Sequence, residues 1–163
     1  MNLDPAMERH LSFGLGLVFL VFGFPALLAR GIGLHRLRKR FPAMDGDSIQ
    51  RSFHWVSTEV EGAGSWGSGQ MPFNYHLGMR ALHISAPFPF RLGARGKASV
   101  PWPQMRLVSR SHREKSRWLE SIPLVGAALI RAEFKAGDYP ATFTITGRCA
   151  RNLLEYLDHA PTL

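Results

Sequence analysis

The stretch "IRAEFKAGDYPATFTITGRCARNLLEYLDH", Ile130 to His159, carries two hydrophobic periods one after the other. Ile130, Ala132 and Phe134 alternate with Arg131, Glu133 and Lys135, the period of a half-buried strand. "AGDYP" turns the chain, and Phe143 and Ile145 alternate on the return, so the spacing predicts a hairpin. Thr146 then stands as N-cap before a segment with Ala150, Leu153, Leu154 and Leu157 at i, i+3, i+4 and i+7. That is one apolar helical face, and Pro161 ends it. A hairpin feeding an amphipathic helix predicts a β-sheet covered by a C-terminal helix.

Upstream, from Asp45 onward, the chain reads mainly as further strands. "IQRSFHWVSTEV" alternates in part around Phe53, Trp55 and Ser57. Glycine and serine cluster in "EGAGSWGSGQMP", a loop or wide hairpin connection. His76 to Met79 and Leu82 to Ala86 form two short apolar-alternating runs. "RLGARGK" is a basic, glycine-rich turn. "ASVPWPQMRLVSRS" restarts as a strand whose prolines, Pro101 and Pro103, confine its beginning to an edge or bulge. "SRWLESIPLVGAALI" fits a short helix followed by a strand, or a strand alone, and periodicity does not separate them.

The other end of the chain is different in kind. Leu11 to Ala29 is 19 residues without a charge. At ~1.5 Å per residue such a helix spans ~28 Å, close to the ~30 Å hydrocarbon core of a bilayer. It has no polar stripe of the sort a soluble core helix shows. A cleaved signal peptide fits less well, because Asp4 and Glu8 flank Arg9 and Leu27 occupies the minus-three position of a cleavage ending at Ala29. Only Arg9 precedes the span, whereas Arg30, Arg36, Arg38, Lys39 and Arg40 follow it, which orients the C-terminal side to the cytoplasm. The organisation expected is a non-cytoplasmic tail (1–10), a transmembrane helix (11–34), a basic juxtamembrane linker (35–44) and a cytoplasmic β-rich domain (45–160), placed at the inner membrane by one span.

The chain of 163 residues carries a formal net charge of +8, which suits anionic partners. Arg36, Arg38, Lys39 and Arg40 are topology determinants that can also hold anionic headgroups. Two further basic groups are candidate loops for an anionic partner: Arg91, Arg95 and Lys97, and Arg110, Arg113, Lys115 and Arg117. Trp55, Trp66 and Trp118 are candidates for the membrane interface, Trp66 foremost; Trp102 is expected in the core. No phosphate loop, nucleophile elbow, zinc-protease helix or dinucleotide fingerprint is present. No His, Cys and carboxylate set stands at metal-ligand spacing; His76 and His83 fall on expected strands and read as surface or satisfied strand residues. Cys149 is the one cysteine, which excludes an internal disulfide. No catalytic residue, cofactor or metal is therefore expected, and nucleic acid is disfavoured because basic residues are not interleaved with a recognition motif.

Val100-Pro101-Trp102 followed by Met105, the turn before it, and the "RFPA" junction Arg40 to Ala43 carry a family resemblance. The chain resembles small bacterial single-span membrane proteins with a pleckstrin-homology-like or GRAM-like domain, over most of residues 36–158. The resemblance implies a bent antiparallel sheet or partial barrel capped by the C-terminal helix, and loops that meet anionic headgroups. The function expected is a membrane-anchored, non-enzymatic domain that scaffolds or regulates a membrane-associated protein. The alternatives are an anionic-lipid headgroup sensor and, further off, an enzyme with an unrecognised site.

Overall fold

A computed structural model describes residues 5–31, 33–62, 68–93, 95–112 and 130–159. The protein is mainly β, as the alternating segments predict. Seven strands form one antiparallel sheet in the order β4-β3-β2-β1-β7-β6-β5, curled into a half-barrel. They are β1 (Ile49–Glu61), β2 (Ser68–Gly78), β3 (Ala81–Ser85), β4 (Lys97–Pro101), β5 (Met105–His112), β6 (Ile130–Ala136) and β7 (Thr142–Thr146). An apolar helix precedes the sheet and helix α4 (Gly147–His159) follows it. Residues 113–129 lie outside the described residues, and with them nearly all of "SRWLESIPLVGAALI", which fits two readings.

The hairpin β6–β7 forms in the expected register, with Phe134 opposite Phe143 and Ala132 opposite Ile145. These four side chains are buried, together with Phe73, Tyr75 and Leu77 of β2 and Ile84 of β3. Leu153 and Leu154 of α4 are buried against them, and Leu157 packs at the margin. Inside this core the Tyr75 hydroxyl and Thr58 Oγ1 lie 2.8 Å apart, so the deepest phenol is hydrogen-bonded. Trp102 is buried as expected. Its indole N–H donates to the Gly78 carbonyl at 3.0 Å and its ring stacks on Tyr156 of α4 at 4.9 Å.

Two strands depart from their sequence pattern for local reasons. β2 begins at Ser68, inside the segment read as a loop. Its Pro72 is tolerated because β3 pairs with β2 only over Asn74–Leu77, which leaves the strand one-sided at Pro72. β1 is interrupted between Phe53 and Val56, where the pairing register with β2 shifts. Trp55 sits in this bulge at φ 55°, a left-handed conformation that costs a non-glycine residue about 1 kcal/mol or more. Its N–H is taken by Asn74 Oδ1 at 3.1 Å.

The N-terminal helix runs as α1 (Pro5–Val18), a π-helical turn (Phe19–Gly23) and α2 (Phe24–Gly31). The wide turn precedes Pro25, which has no N–H to continue the α ladder, and the Phe24 N–H reaches back to the Phe19 carbonyl. His10–Gly31 is long and apolar enough to cross a membrane. Across the boundary expected between the transmembrane helix (11–34) and the linker (35–44), Leu34–Arg40 forms a short helix, α3, entered through Gly33 at φ 83°. Leu34, Leu37 and Phe41 lie at i, i+3 and i+7 and are all buried on the sheet.

If α4 is a core element, Leu154→Asp places an unpaired carboxylate in that interior, at a cost of several kcal/mol. The expected outcome is a large drop in the midpoint of thermal unfolding for the full chain in detergent; an unchanged midpoint would remove α4 from the core.

Candidate functional site

The chain between α3 and β1 is held along the β4 edge by a sequence of polar contacts. The Ser99 N–H donates to the Phe41 carbonyl at 3.1 Å, continuing the sheet beyond β4. The Met44 N–H donates to Ser99 Oγ at 2.9 Å. Ser99 Oγ lies 2.8 Å from His83 Nδ1, and His83 Nε2 lies 3.1 Å from Asp47 Oδ2. The same carboxylate accepts the Arg80 N–H at 3.1 Å and the Ala81 N–H at 3.1 Å. The His83 side chain is 0% exposed and that of Asp47 is 1% exposed.

Protonation follows from this geometry. Burial, then the charge of Lys97, lowers the His83 pKa, and Asp47 only partly opposes them. Burial raises Asp47, but the Arg80 N–H, the His83 ring and the Ala81 N–H outweigh it and hold the carboxyl below its ordinary value. A neutral ring beside a carboxylate assigns the proton to Nε2, which donates to Asp47, and leaves Nδ1 to accept from the Ser99 hydroxyl. The order serine–histidine–aspartate resembles that of a nucleophilic relay. Here, however, Ser99 is buried, its oxygen is occupied by the Met44 N–H, and its proton faces the ring. The arrangement clamps the 41–48 segment to the sheet. A groove of about 450 Å³ adjoins it, lined by residues 40–44 on one side and Ser99, Pro101 and Gln104 on the other.

Gly78 is the keystone of this clamp. A Cβ there would collide with the Asp47 carboxylate and come within 2.8 Å of His83 Nε2. Neither group can withdraw without breaking its hydrogen bonds.

The cationic candidates divide into three. Arg36, Arg38, Lys39 and Arg40 are exposed on α3, but two of them are engaged. Arg40 forms a bidentate pair with Asp138 of the β6–β7 turn at 3.0 and 2.8 Å, and Arg38 donates to the Arg95 carbonyl. The latter contact brings the β3–β4 loop, which carries Arg91 and Arg95 and leads into Lys97 at the start of β4, against α3. Gly96, at φ 91°, lets this loop pass the Arg38 guanidinium, which a Cβ would approach to 3.0 Å. Arg110 stands apart from them on β5, 3.4 Å from Asp158 of α4. Arg113, Lys115 and Arg117 lie outside the described residues, as do Trp66 and Trp118.

His76 and His83 are cross-strand partners, but their rings make different contacts: His76 Nδ1 is 2.8 Å from Ser52 Oγ. Among the described residues no group of three or more His, Cys, Asp or Glu is placed to hold a metal ion. Cys149 is a core residue whose thiol burial pushes up to about 12, so it is unreactive at neutral pH. Sequence reading singled out neither Asp47 nor Ser99. The available signal was the Asp47 that follows Gly46 and the alternation around Ser99, neither of which names a partner.

No family model matches the chain, and no curated protein matches it. Among solved structures, it is similar to the C-terminal domain of an unknown protein from Leishmania infantum, at 14% identity and a TM-score of 0.41, over 75% of this chain and 91% of that one.

Two outcomes are expected. Gly78→Ala should destabilise the full chain by ~1–3 kcal/mol, the usual cost of forcing an extra carbon into a packed site; a wild-type melting curve would show that the clamp can yield. Acid should also weaken the fold. With the folded His83 pKa below the ordinary 6.5, the unfolded chain takes up the proton first, so stability falls as pH drops below about that value. Asp47, whose folded pKa is below 3.8, adds a further loss only at lower pH, as its carboxylate protonates. His83→Gln should lower stability at pH 7 and flatten the decline between neutrality and pH 5 in melting measurements, partially because His76 and His35 are depressed in the same direction.

Proposed function

We propose that the protein is a single-pass membrane protein whose β-rich domain lies in the cytoplasm and positions, scaffolds or regulates a membrane-associated protein without catalysing a reaction. The observation that carries this reading is the docking of α3. A domain tethered by a slack linker samples many orientations. This one is seated on the residues that leave the apolar helix. Leu34, Leu37 and Phe41 are buried in it, the Tyr139 hydroxyl donates to the Gly33 carbonyl at 2.9 Å, and Arg40 pairs with Asp138. Such a domain presents its surface at a set height and angle to the bilayer, which suits a docking platform. The excess of basic residues after the helix favours the cytoplasmic side. The curled antiparallel sheet with a C-terminal helix supports the pleckstrin-homology-like reading of the domain. The serine–histidine–aspartate clamp is spent on structure, which disfavours an enzyme.

A reporter fused after Leu163 should give a cytoplasmic signal, and a periplasmic signal would reject the orientation. Affinity purification of the full chain from native membranes should recover a membrane-associated protein in fixed proportion. That recovery should fall for a Leu37→Asp variant that stays in the membrane but loses the docked geometry. Equal recovery by wild type and variant would detach partner binding from the docking of α3.

A further inference from the structure

The connection between β3 and β4, residues 86–96, departs from what a solvent-exposed loop needs. It reads "APFPFRLGARG", and it places Phe88 at 53% and Leu92 at 43% exposure. Beside it the β1 bulge turns out Trp55, 58% exposed, whose ring meets that of Phe90 at 6.3 Å. Large apolar side chains gathered at one place on a surface mark an interaction site.

The position of this loop identifies what covers it. The 3-10 turn Phe90–Leu92 lies against α2, and Gly93 approaches the Ala26 backbone so closely that a Cβ would collide with the Ala26 carbonyl. Phe88 meets Phe22 edge-on at 5.9 Å. Ala26 lies five residues before Gly31, the end of the apolar helix, or ~8 Å along it at ~1.5 Å per residue, and Phe22 lies nine before it, or ~14 Å. An apolar element that inserts into the headgroup and acyl boundary reaches ~5–10 Å deep. The Phe90–Leu92 turn and Gly93 therefore lie within that depth of the end where the apolar helix would leave a membrane, and Phe88 reaches further in beside the helix.

The backbone suits that environment as well. Unpaired N–H groups are costly where water is scarce. Pro87 and Pro89 have none, and the N–H groups of Arg91, Leu92 and Gly93 bond within the loop to Pro87, Pro89 and Phe90 carbonyls at 3.0–3.1 Å. Charge completes the pattern: Arg91 and Arg95 are exposed in the same loop and Arg30 is exposed in the last turn of α2, and such side chains suit anionic headgroups.

We propose that the β3–β4 loop, together with Trp55, is a second membrane-contacting element, an apolar wedge that enters the headgroup–acyl boundary beside the anchor while its arginines engage anionic lipid. The inference rests on His10–Gly31 being a membrane span, and the test separates the two. The full chain carrying Leu92→Cys, labelled with an environment-sensitive fluorophore, is reconstituted into phosphatidylcholine–phosphatidylglycerol vesicles; buried Cys149 does not compete for the label. Phe88→Cys serves as a second wedge position and Leu20→Cys as a reporter of the span. The expected result is blue-shifted emission at Leu92 and Phe88 and quenching by lipids brominated along the acyl chain, with Leu20 quenched too. Quenching at Leu20 with water-like, unquenched emission at Leu92 and Phe88 would overturn the wedge and leave the anchor standing. A blue shift without quenching at the loop would mean that protein covers it, and would equally overturn the wedge. Water-like emission at all three positions would overturn both readings.

Discussion

The burial of Leu37 and Phe41 on the curled sheet is the contact on which the remainder depends. Each removes a large apolar side chain from water, worth ~1.5–3 kcal/mol per residue on transfer. Together they turn the peptide after the apolar helix into part of the core. Once Phe41 is seated, its carbonyl meets the Ser99 N–H, and the following residues are laid along β4 within reach of Asp47, His83 and Ser99. The same seating brings the β6–β7 turn to α3. There, Gly137 takes the left-handed φ of 54° that the turn requires, Tyr139 reaches Gly33, and Asp138 reaches Arg40. Of these contacts the Arg40–Asp138 pair is the least consequential energetically. Both side chains are well exposed, and such pairs contribute ~0–1 kcal/mol.

The clamp protects an edge as well as fixing a segment. β4 ends the sheet order, and an open edge strand is a template for pairing with another chain. The 41–44 segment covers part of that edge, and the Asp47–His83–Ser99 contacts keep it there. A buried carboxylate is costly when it lacks donors. Asp47 has three, two of them backbone N–H groups whose positions are set by the tight β2–β3 turn. Exchange of Asp47 for an apolar residue would leave those N–H groups unpaired, so the clamp cannot be dismantled from that side without loss.

Strict alternation made β6 and β7 legible, and the spacing of Ala150, Leu153 and Leu154 did the same for α4. β1 was obscured by the extra residue in its bulge, which shifts its alternation near Trp55. The start of β2 was hidden by "GSGQMP", because glycine and proline read as turn until the one-sidedness of the strand is known. The α3 signal was present in the i, i+3, i+7 spacing of Leu34, Leu37 and Phe41, but charge dominates that stretch and seven residues make too short a window to show a period. The site was less legible than the fold. Asp47, His83 and Ser99 are separated by 36 and 16 residues; the pairing of β3 with β4 sets His83 opposite Ser99, and the segment laid along β4 brings Asp47 to them. The apolar loop was read for its arginines and glycines; the meaning of Phe88 and Leu92 depends on their distance from α2, which no local pattern records.

The four cations of α3 are consequently not equivalent, although the sequence presents them as one patch. Arg40 is tied to Asp138 and Arg38 to the Arg95 carbonyl, so each holds α3 in place as well as adding charge. Arg36 and Lys39 are exposed on the same helix, and the hydrogen bonds described for α3 are made by the other two. A positive-inside signal depends on the number of Lys and Arg flanking the span, with little regard to which residues supply them. Docking depends on which residues they are. Neutralising Arg36 and Lys39 therefore removes two charges and leaves the α3 contacts intact, whereas neutralising Arg38 and Arg40 removes the same two charges and loosens the seat of the domain. In a membrane-spanning chain, equal loss of orientation from both pairs, with a small loss of stability only from the second, is the pattern that two separate roles in one short helix require.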